Sequence, residues 1–366
     1  NNLAVAYIGG QDAGEYPVLY KTTNGGLSWQ SVFSPYNNGN IYTGWAGRNG
    51  DRGWTYGAGP VGMSASPVND AVVAFTDYGF IHLTTDGGAT WRQAYLNPAD
   101  QNPPGVNTPT RKSYLSNGLE PSTCWWITWA DSNNLFASFG DIRGIRSVDG
   151  GLKWSFHYSG HTYNSMYESV LHPNGTLYAA VGSAHDLYQS TYLSDSRIDG
   201  ASGEVLFSTD QGLTWQRLHN FGREVFAVAL DPNNPNRLYA GVVHSADGDF
   251  YRTDTLSAGG ASTWARLARP PRTKGHPFML KVLNDGTLVC TYSGHRDSGG
   301  AFMAVSGVFV SQNNGASWID RSDPNMLYWT KDIVLDPADP AQNTWYVCVF
   351  SGWGGAPNGK GGLYRT

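Results

Sequence analysis

Charge is scarce in this chain. Only 14% of its 366 residues are Asp, Glu, Lys or Arg, and the net charge is −5. No basic block occurs, which argues against a nucleic-acid partner. No run of about 18 apolar residues occurs, so no segment reads as a membrane-spanning helix. No leader segment is visible, which fits a chain that begins after processing. Cysteine is also sparse: Cys124, Cys290 and Cys348 are the only three. Their spacing fits no zinc motif, and they are expected to be small buried apolar residues.

What the chain has instead is glycine (46), tryptophan (14) and tyrosine (21). That composition suits a turn-rich β protein. It also has a repeated octapeptide. "TTNGGLSW" starts at Thr22, "TTDGGATW" at Thr84, "SVDGGLKW" at Ser147, "STDQGLTW" at Ser208 and "SQNNGASW" at Ser311. Glycine permits positive φ, and the Asp or Asn side chain can bond the backbone of its own turn. Each copy therefore reads as a hairpin staple, with its Trp covering the hairpin.

Short β runs flank each copy, so one unit reads strand A, turn, strand B, loop, strand C, octapeptide turn, strand D. Units fall near residues 3–33, 61–95, 123–158, 166–219, 225–267, 277–322 and 329–366. The first lacks a clear strand A and the last a clear strand D. A period of about 50 residues suits the blades of a propeller. The expected fold is all-β: a single seven-bladed β-propeller of four-stranded antiparallel blades. The octapeptides resemble the Asp-box (BNR) repeats of sialidase-like β-propellers. That resemblance covers nearly the whole chain and implies architecture, because such propellers include glycosidases, lyases and binding proteins.

In such a meander the B–C and D–A loops share one end of the strands, opposite the octapeptides, and are expected to carry function. The B–C loops place Asp12, Asp77, Asp141, His185, His244, His295 and Trp353 in one register. The D–A loop 34–60 carries Trp45, Arg48, Asp51, Arg52, Trp54 and Tyr56, whose aromatics suit stacking on sugar rings. Long loops of this kind are often functional. Another loop, "SGHTYNSMYE", supplies His161, Tyr163 and Tyr167. Arg296 and Trp329 complete the expected substrate-binding set.

Two segments carry a narrower resemblance. "GLEPSTCWWITWADSNNLFASFGDIRG" and "AVVAFTDYGFIHLTTDGG" are similar to segments of family 74 glycoside hydrolases, the xyloglucanases. The resemblance implies catalytic carboxylates at Asp141 and Asp77, with Glu120 and Asp186 in reserve. Arg143 and Phe80 stand where those enzymes have a second glycine. Those enzymes also carry their carboxylates on two tandem propellers, whereas this chain places both in neighbouring units. Glycoside hydrolysis needs two carboxyls about 5–5.5 Å apart, or about 6.5–9.5 Å apart, according to stereochemistry.

The first functional expectation is thus a secreted polysaccharide-degrading glycoside hydrolase, xyloglucanase-like and acting on a β-glucan. The alternative is a lyase that cleaves a uronate-containing glycan by β-elimination, using His161, Tyr163 and Arg143, with His185, His295 and Arg296 nearby. The third is a non-catalytic glycan- or protein-binding propeller. A sialidase is disfavoured, since neither its Arg-Ile-Pro signature nor an Arg triad is evident. A monomer without cofactor or metal is expected. His157 and His161 have i, i+4 spacing but sit at a strand end and loop, not on a helix.

Overall fold

The computed structural model describes residues 4–52, 59–117, 122–185, 187–188, 194–350 and 359–366. They form an all-β structure of mostly antiparallel sheets with three to five strands. The chain divides into two compact units, Asn1–Ser122 with Ile145–His157, and Thr123–Gly144 with Tyr158–Thr366.

The first unit opens with β1 (Ala6–Gln11), β2 (Pro17–Thr22) and β3 (Gln30–Ser31), a three-stranded meander among the described residues. Next comes β4 (Ile41–Tyr42), then the meander β5 (Gly62–Ala65), β6 (Val73–Thr76), β7 (Ile81–Thr84) and β8 (Trp91–Gln93). β4 pairs parallel with β8, Ile41 opposite Trp91, so the first long loop adds a fifth strand to this sheet. Leu19, Phe33, Ile41, Val73, Phe75 and Trp91 form this unit's core.

The second unit begins with β9 (Cys124–Trp129) and β10 (Leu135–Phe139), an antiparallel pair. The unit boundary falls within β11 (Gly144–Ser147). Two four-stranded meanders follow. One is β12 (Ser165–Leu171), β13 (Leu177–Gly182), β14 (Gly203–Ser208) and β15 (Gln216–Asn220). The next is β16 (Glu224–Asp231), β17 (Asn234–Val243), β18 (Asp249–Thr253) and β19 (Ala265–Arg266). A short helix α1 (Asp195–Ile198) interrupts the connection from β13 to β14. A third meander holds β20 (Pro277–Val282), β21 (Leu288–Tyr292), β22 (Gly307–Ser311) and β23 (Ile319–Asp320). The last holds, among the described residues, β24 (Thr330–Leu335), β25 (Trp345–Val349) and β26 (Gly362–Arg365). β13, β21 and β22 are buried along their whole length, which is why they read as continuous apolar runs rather than alternating ones.

All five octapeptides fold into the same turn. In "TTDGGATW", Thr84 Oγ1 donates to Asp86 at 2.7 Å and accepts from Gly88 N at 2.9 Å, while Thr90 N donates to Asp86 at 2.9 Å. The same three bonds recur around Asn24, Asp149, Asp210 and Asn313. The tryptophan does more than cover its own hairpin. Trp91 Nε1 donates to Val32 O, and Trp318 Nε1 to Ala268 O, each at 2.7 Å. At these two turns the tryptophan fastens its sheet to the end of the sheet before it, whereas Trp154 Nε1 donates to Gly151 O within its own hairpin.

The cysteines depart from expectation. All three are free thiols, but only Cys290 is buried; Cys124 and Cys348 are exposed. Cys290 lies on a strand covered on both faces, and Cys348 on a sheet of three strands whose last strand is largely exposed.

Candidate functional site

In the first unit, Asp77 and Trp45 are buried. Asp77 follows β6, and its side chain is wholly buried. One carboxylate oxygen accepts from Gly79 N at 2.7 Å and Phe80 N at 2.5 Å; the other meets His82 Nε2 at 2.9 Å. Burial alone would push this carboxyl up. The His82 hydrogen bond and charge, with the two backbone donors, outweigh it and hold the carboxyl below its usual value. His82 stacks on Phe75 at 4.6 Å and meets the edge of Phe33 at 5.1 Å. Asp77 therefore caps its own turn from inside, with its carboxylate turned away from solvent.

Trp45 is buried likewise. It is only 7% exposed and packs edge-on against Phe80, Tyr95 and Phe156 at 5.3–5.9 Å. Loop 34–60 and the long loop 96–122 share a polar core: Asn102 Nδ2 donates to Gly44 O at 2.9 Å and to Tyr114 Oη at 3.0 Å. Arg48 lies over Tyr36 at 5.3 Å, and its backbone N–H donates to Asn38. Asp12 caps its own loop by accepting from Gly14 N and Tyr16 N. Trp54, Tyr56, Glu120, Asp186 and Trp353 lie outside the described residues.

The second unit is different. Asp141 stands at φ 62° in a tight turn whose next residue, Ile142, is buried. Its Oδ1 lies 2.5 Å from His185 Nδ1 and accepts from Asn164 Nδ2 at 3.0 Å. The Asp141 side chain is 27% exposed and that of His185 54%. This is a carboxylate–imidazole dyad at the surface, formed by the B–C loops of two successive repeats.

The loop carrying His185 is built to hold it. Ala184 O accepts from Tyr167 Oη at 2.7 Å and from Ser165 Oγ at 3.3 Å, while Ala184 N donates to Glu224 Oε2 at 2.9 Å. Tyr188 Oη donates to Pro277 O at 2.5 Å. Gly182 is required here, because a Cβ would lie 1.5 Å from Glu224 Oε1. Burial pushes the Glu224 carboxyl up to about 8, against the pull of the Ala184 and Ser183 N–H groups. Glu224 is thus a buried prop under the dyad loop, and it had no signal in the sequence beyond an acidic residue opening an apolar strand.

The other expected residues separate. His161 is buried and lies parallel to Tyr158 at 6.4 Å. Tyr163 Oη donates to Glu204 at 2.9 Å, and Glu204 also pairs with Arg217. Burial, then the Glu204 hydrogen bond, pushes the Tyr163 hydroxyl up to about 12. Arg143 sits two residues from Asp141 at φ 74° and is half-buried. His244 accepts from Asp247 N at 3.1 Å and so caps its own loop. Arg296 lies over Phe302 at 4.4 Å. Trp329 is 4% exposed and packs against Phe302. His295 is also buried; its Nε2 lies 2.6 Å from Asp195 Oδ1, and His276 packs against it with ring centroids 4.4 Å apart.

A cavity of 460 Å³ in this unit is lined by Trp126, Glu168, His172, Asp231 and Lys281 among others. It takes in the A–B turns at His172–Pro173 and Asp231–Pro232, so it sits at the strand ends opposite the B–C loops. Burial raises Glu168 in its wall to about 7, with Lys281 opposing.

No protein-family description matches the sequence, and no curated protein matches it. Solved structures do resemble it. A GH74 enzyme from Niastella koreensis is 15% identical, with a TM-score of 0.49, over 96% of this chain and 48% of that one. The GH74 xyloglucanase from Xanthomonas campestris is 14% identical, with a TM-score of 0.47, over 100% of this chain and 51% of that one. YCF48 from Cyanidioschyzon merolae is 12% identical, with a TM-score of 0.40, over 94% and 92%. The chain spans about half the length of the two GH74 structures. Likenesses this distant decide neither activity nor site. No helix among the described residues is long and apolar enough to cross a membrane.

Proposed function

We propose that this chain is a secreted, monomeric seven-bladed β-propeller that cleaves a uronate-containing polysaccharide by β-elimination, with the Asp141–His185 dyad moving the proton. Antiparallel meanders following one another in chain order, two of them tied to the preceding sheet by an octapeptide tryptophan, support the propeller. One observation carries the chemistry: an exposed imidazole held 2.5 Å from a carboxylate on a braced loop. With Nδ1–H given to Asp141, Nε2 is the basic nitrogen, and the carboxylate stabilises the imidazolium that forms.

In the elimination, His185 takes the C5 proton of the uronate. The C5–H electron pair becomes the C4=C5 double bond as the C4–O bond breaks. The leaving oxygen takes a proton from water, and His185 returns its own to water. Arg143, in the Asp141 turn, is the cation assigned to the uronate carboxylate.

Hydrolysis of a β-glucan is the second reading, and the placement of Asp141 in "GDIRG" favours it. It requires a second carboxyl across the bond, and Asp77, sealed inside its own turn, does not serve. A polysaccharide panel with two readouts separates the readings. New reducing ends together with the ultraviolet absorbance of an unsaturated uronate support elimination. Reducing ends alone support hydrolysis, and binding without either supports a non-catalytic module.

A further inference from the structure

The second unit brings together three side chains that no motif connects. Asp195 lies in α1, His276 immediately before β20, and His295 shortly after β21. Their potential ligand atoms all lie within 4.8 Å of one another. His295 Nε2 is 2.6 Å, and His276 Nε2 3.5 Å, from the same oxygen, Asp195 Oδ1. His276 is 1% exposed, and its Nε2 reaches the Asp195 oxygen only at the long distance of 3.5 Å.

We propose that Asp195, His276 and His295 form a binding site for one divalent transition-metal ion, Zn²⁺ by donor type. Two imidazoles and one carboxylate are a zinc donor set, and three protein ligands leave a fourth position open. The geometry is close to what the ion needs. Ligands about 2.1 Å from a common ion stand roughly 3.4 Å apart in a tetrahedron. The His276–Asp195 separation already matches. The His295–Asp195 hydrogen bond would open by less than about 1 Å.

The frame around the site is fixed. Ser293 N donates to His276 O at 3.0 Å, Met303 N donates to His295 O at 3.0 Å, and Ser194 bridges to Arg296. Gly275 lets the loop before His276 press against His244, since a Cβ there would lie 1.8 Å from His244 O. Ile198, fully buried, anchors α1 beneath Asp195. His295 Nδ1 faces Met303 Sδ at 3.2 Å, so Nε2 is the nitrogen turned to the ion. The partly exposed Asp195 supplies the charge and the side from which an ion arrives. The site does not depend on the proposed cleavage chemistry.

The test uses the full chain, stripped with a chelator and titrated with Zn²⁺ by calorimetry, with Co²⁺ absorption as a second probe. The expected result is one Zn²⁺ per chain, a melting temperature raised by Zn²⁺, and Co²⁺ bands of a four- or five-coordinate site. Asp195→Asn and His295→Gln should each weaken Zn²⁺ binding by about 100-fold or more. Asp195→Asn changes a partly exposed residue, so it keeps the test decisive if a histidine variant does not fold. No stoichiometric Zn²⁺ binding, unchanged affinity in folded Asp195→Asn, or preference for Ca²⁺ would overturn the proposal.

Discussion

Asp77 and Asp141 hold the same place in successive repeats, each just past the second strand of its meander, yet only one reaches solvent. Asp77 is turned inward onto Gly79, Phe80 and His82. Asp141 is turned outward onto His185 and Asn164. The difference is made by neighbours. Phe80 follows Asp77 in its turn and packs under Trp45, and His82 projects inward from β7 to meet the carboxylate. In the Asp141 turn, Ile142 takes the buried position and leaves the carboxylate outside. Register along a repeat thus selects a position, while the packing around it decides between a staple and a reactive group.

The comparison breaks most readily through stability. Asp77→Ala leaves His82 buried without its carboxylate, and should cost about 3–5 kcal/mol in urea denaturation. Asp141→Ala, at the surface, should cost less than about 1 kcal/mol. Equal losses would show that the two aspartates are not distinguished by burial. Trp45→Ala removes the lid over Phe80 and should also cost about 3–5 kcal/mol. A sugar platform would instead lose glycan affinity at an unchanged melting temperature.

The dyad loop supplies a pH test. Glu224 has a folded-state pKa of about 8, above its ordinary 4.5. Between those values the folded chain keeps a proton that the unfolded chain releases. Its contribution is therefore complete below pH 4.5, is lost as pH rises towards 8, and stays lost beyond. Stability measured across that window should fall less steeply in Glu224→Gln than in the parent protein. An identical slope would mean that Glu224 is ionised beneath the loop.

A smaller effect separates two octapeptides. Gly26 and Gly88 share nearly the same φ, 91° and 89°. A Cβ at Gly88 would lie 2.8 Å from Val32 Cβ, whereas at Gly26 the nearest atom is 3.9 Å away. Both alanine variants bear the left-handed backbone cost of about 1–2 kcal/mol. Gly88→Ala should lose about 1–3 kcal/mol more through overpacking. Equal losses would remove the turn's role as a fastener between sheets.

The turns were legible because one octapeptide carries all their bonds locally: hydroxyl, carboxylate or amide, and glycine stand four residues apart or less. The antiparallel meanders were legible from the short β runs that flank the turns, but the parallel β4 and the three-stranded β9–β11 sheet were not. The inward turn of Asp77 left a fainter trace. In "FIHLT" the period of two puts His82 on the same face as the buried Phe80 and Thr84. Trp45 was misleading because its partners, Phe80, Tyr95 and Phe156, come from three separate segments. The cluster of Asp195, His276 and His295 was illegible outright. Its members lie about 20 to 100 residues apart, in an insertion and two loops, and only folding brings them together.

The most direct measurement of the central claim is turnover of Asp141→Asn and Asp77→Asn, side by side, on a polysaccharide that the parent protein cleaves. The account predicts that Asp141→Asn loses about 10²–10⁴-fold in kcat at an unchanged melting temperature. It also predicts that Asp77→Asn, compared as folded protein, keeps near-parent kcat with a lowered melting temperature. Full activity in Asp141→Asn, or a comparable kcat loss in folded Asp77→Asn, would contradict it.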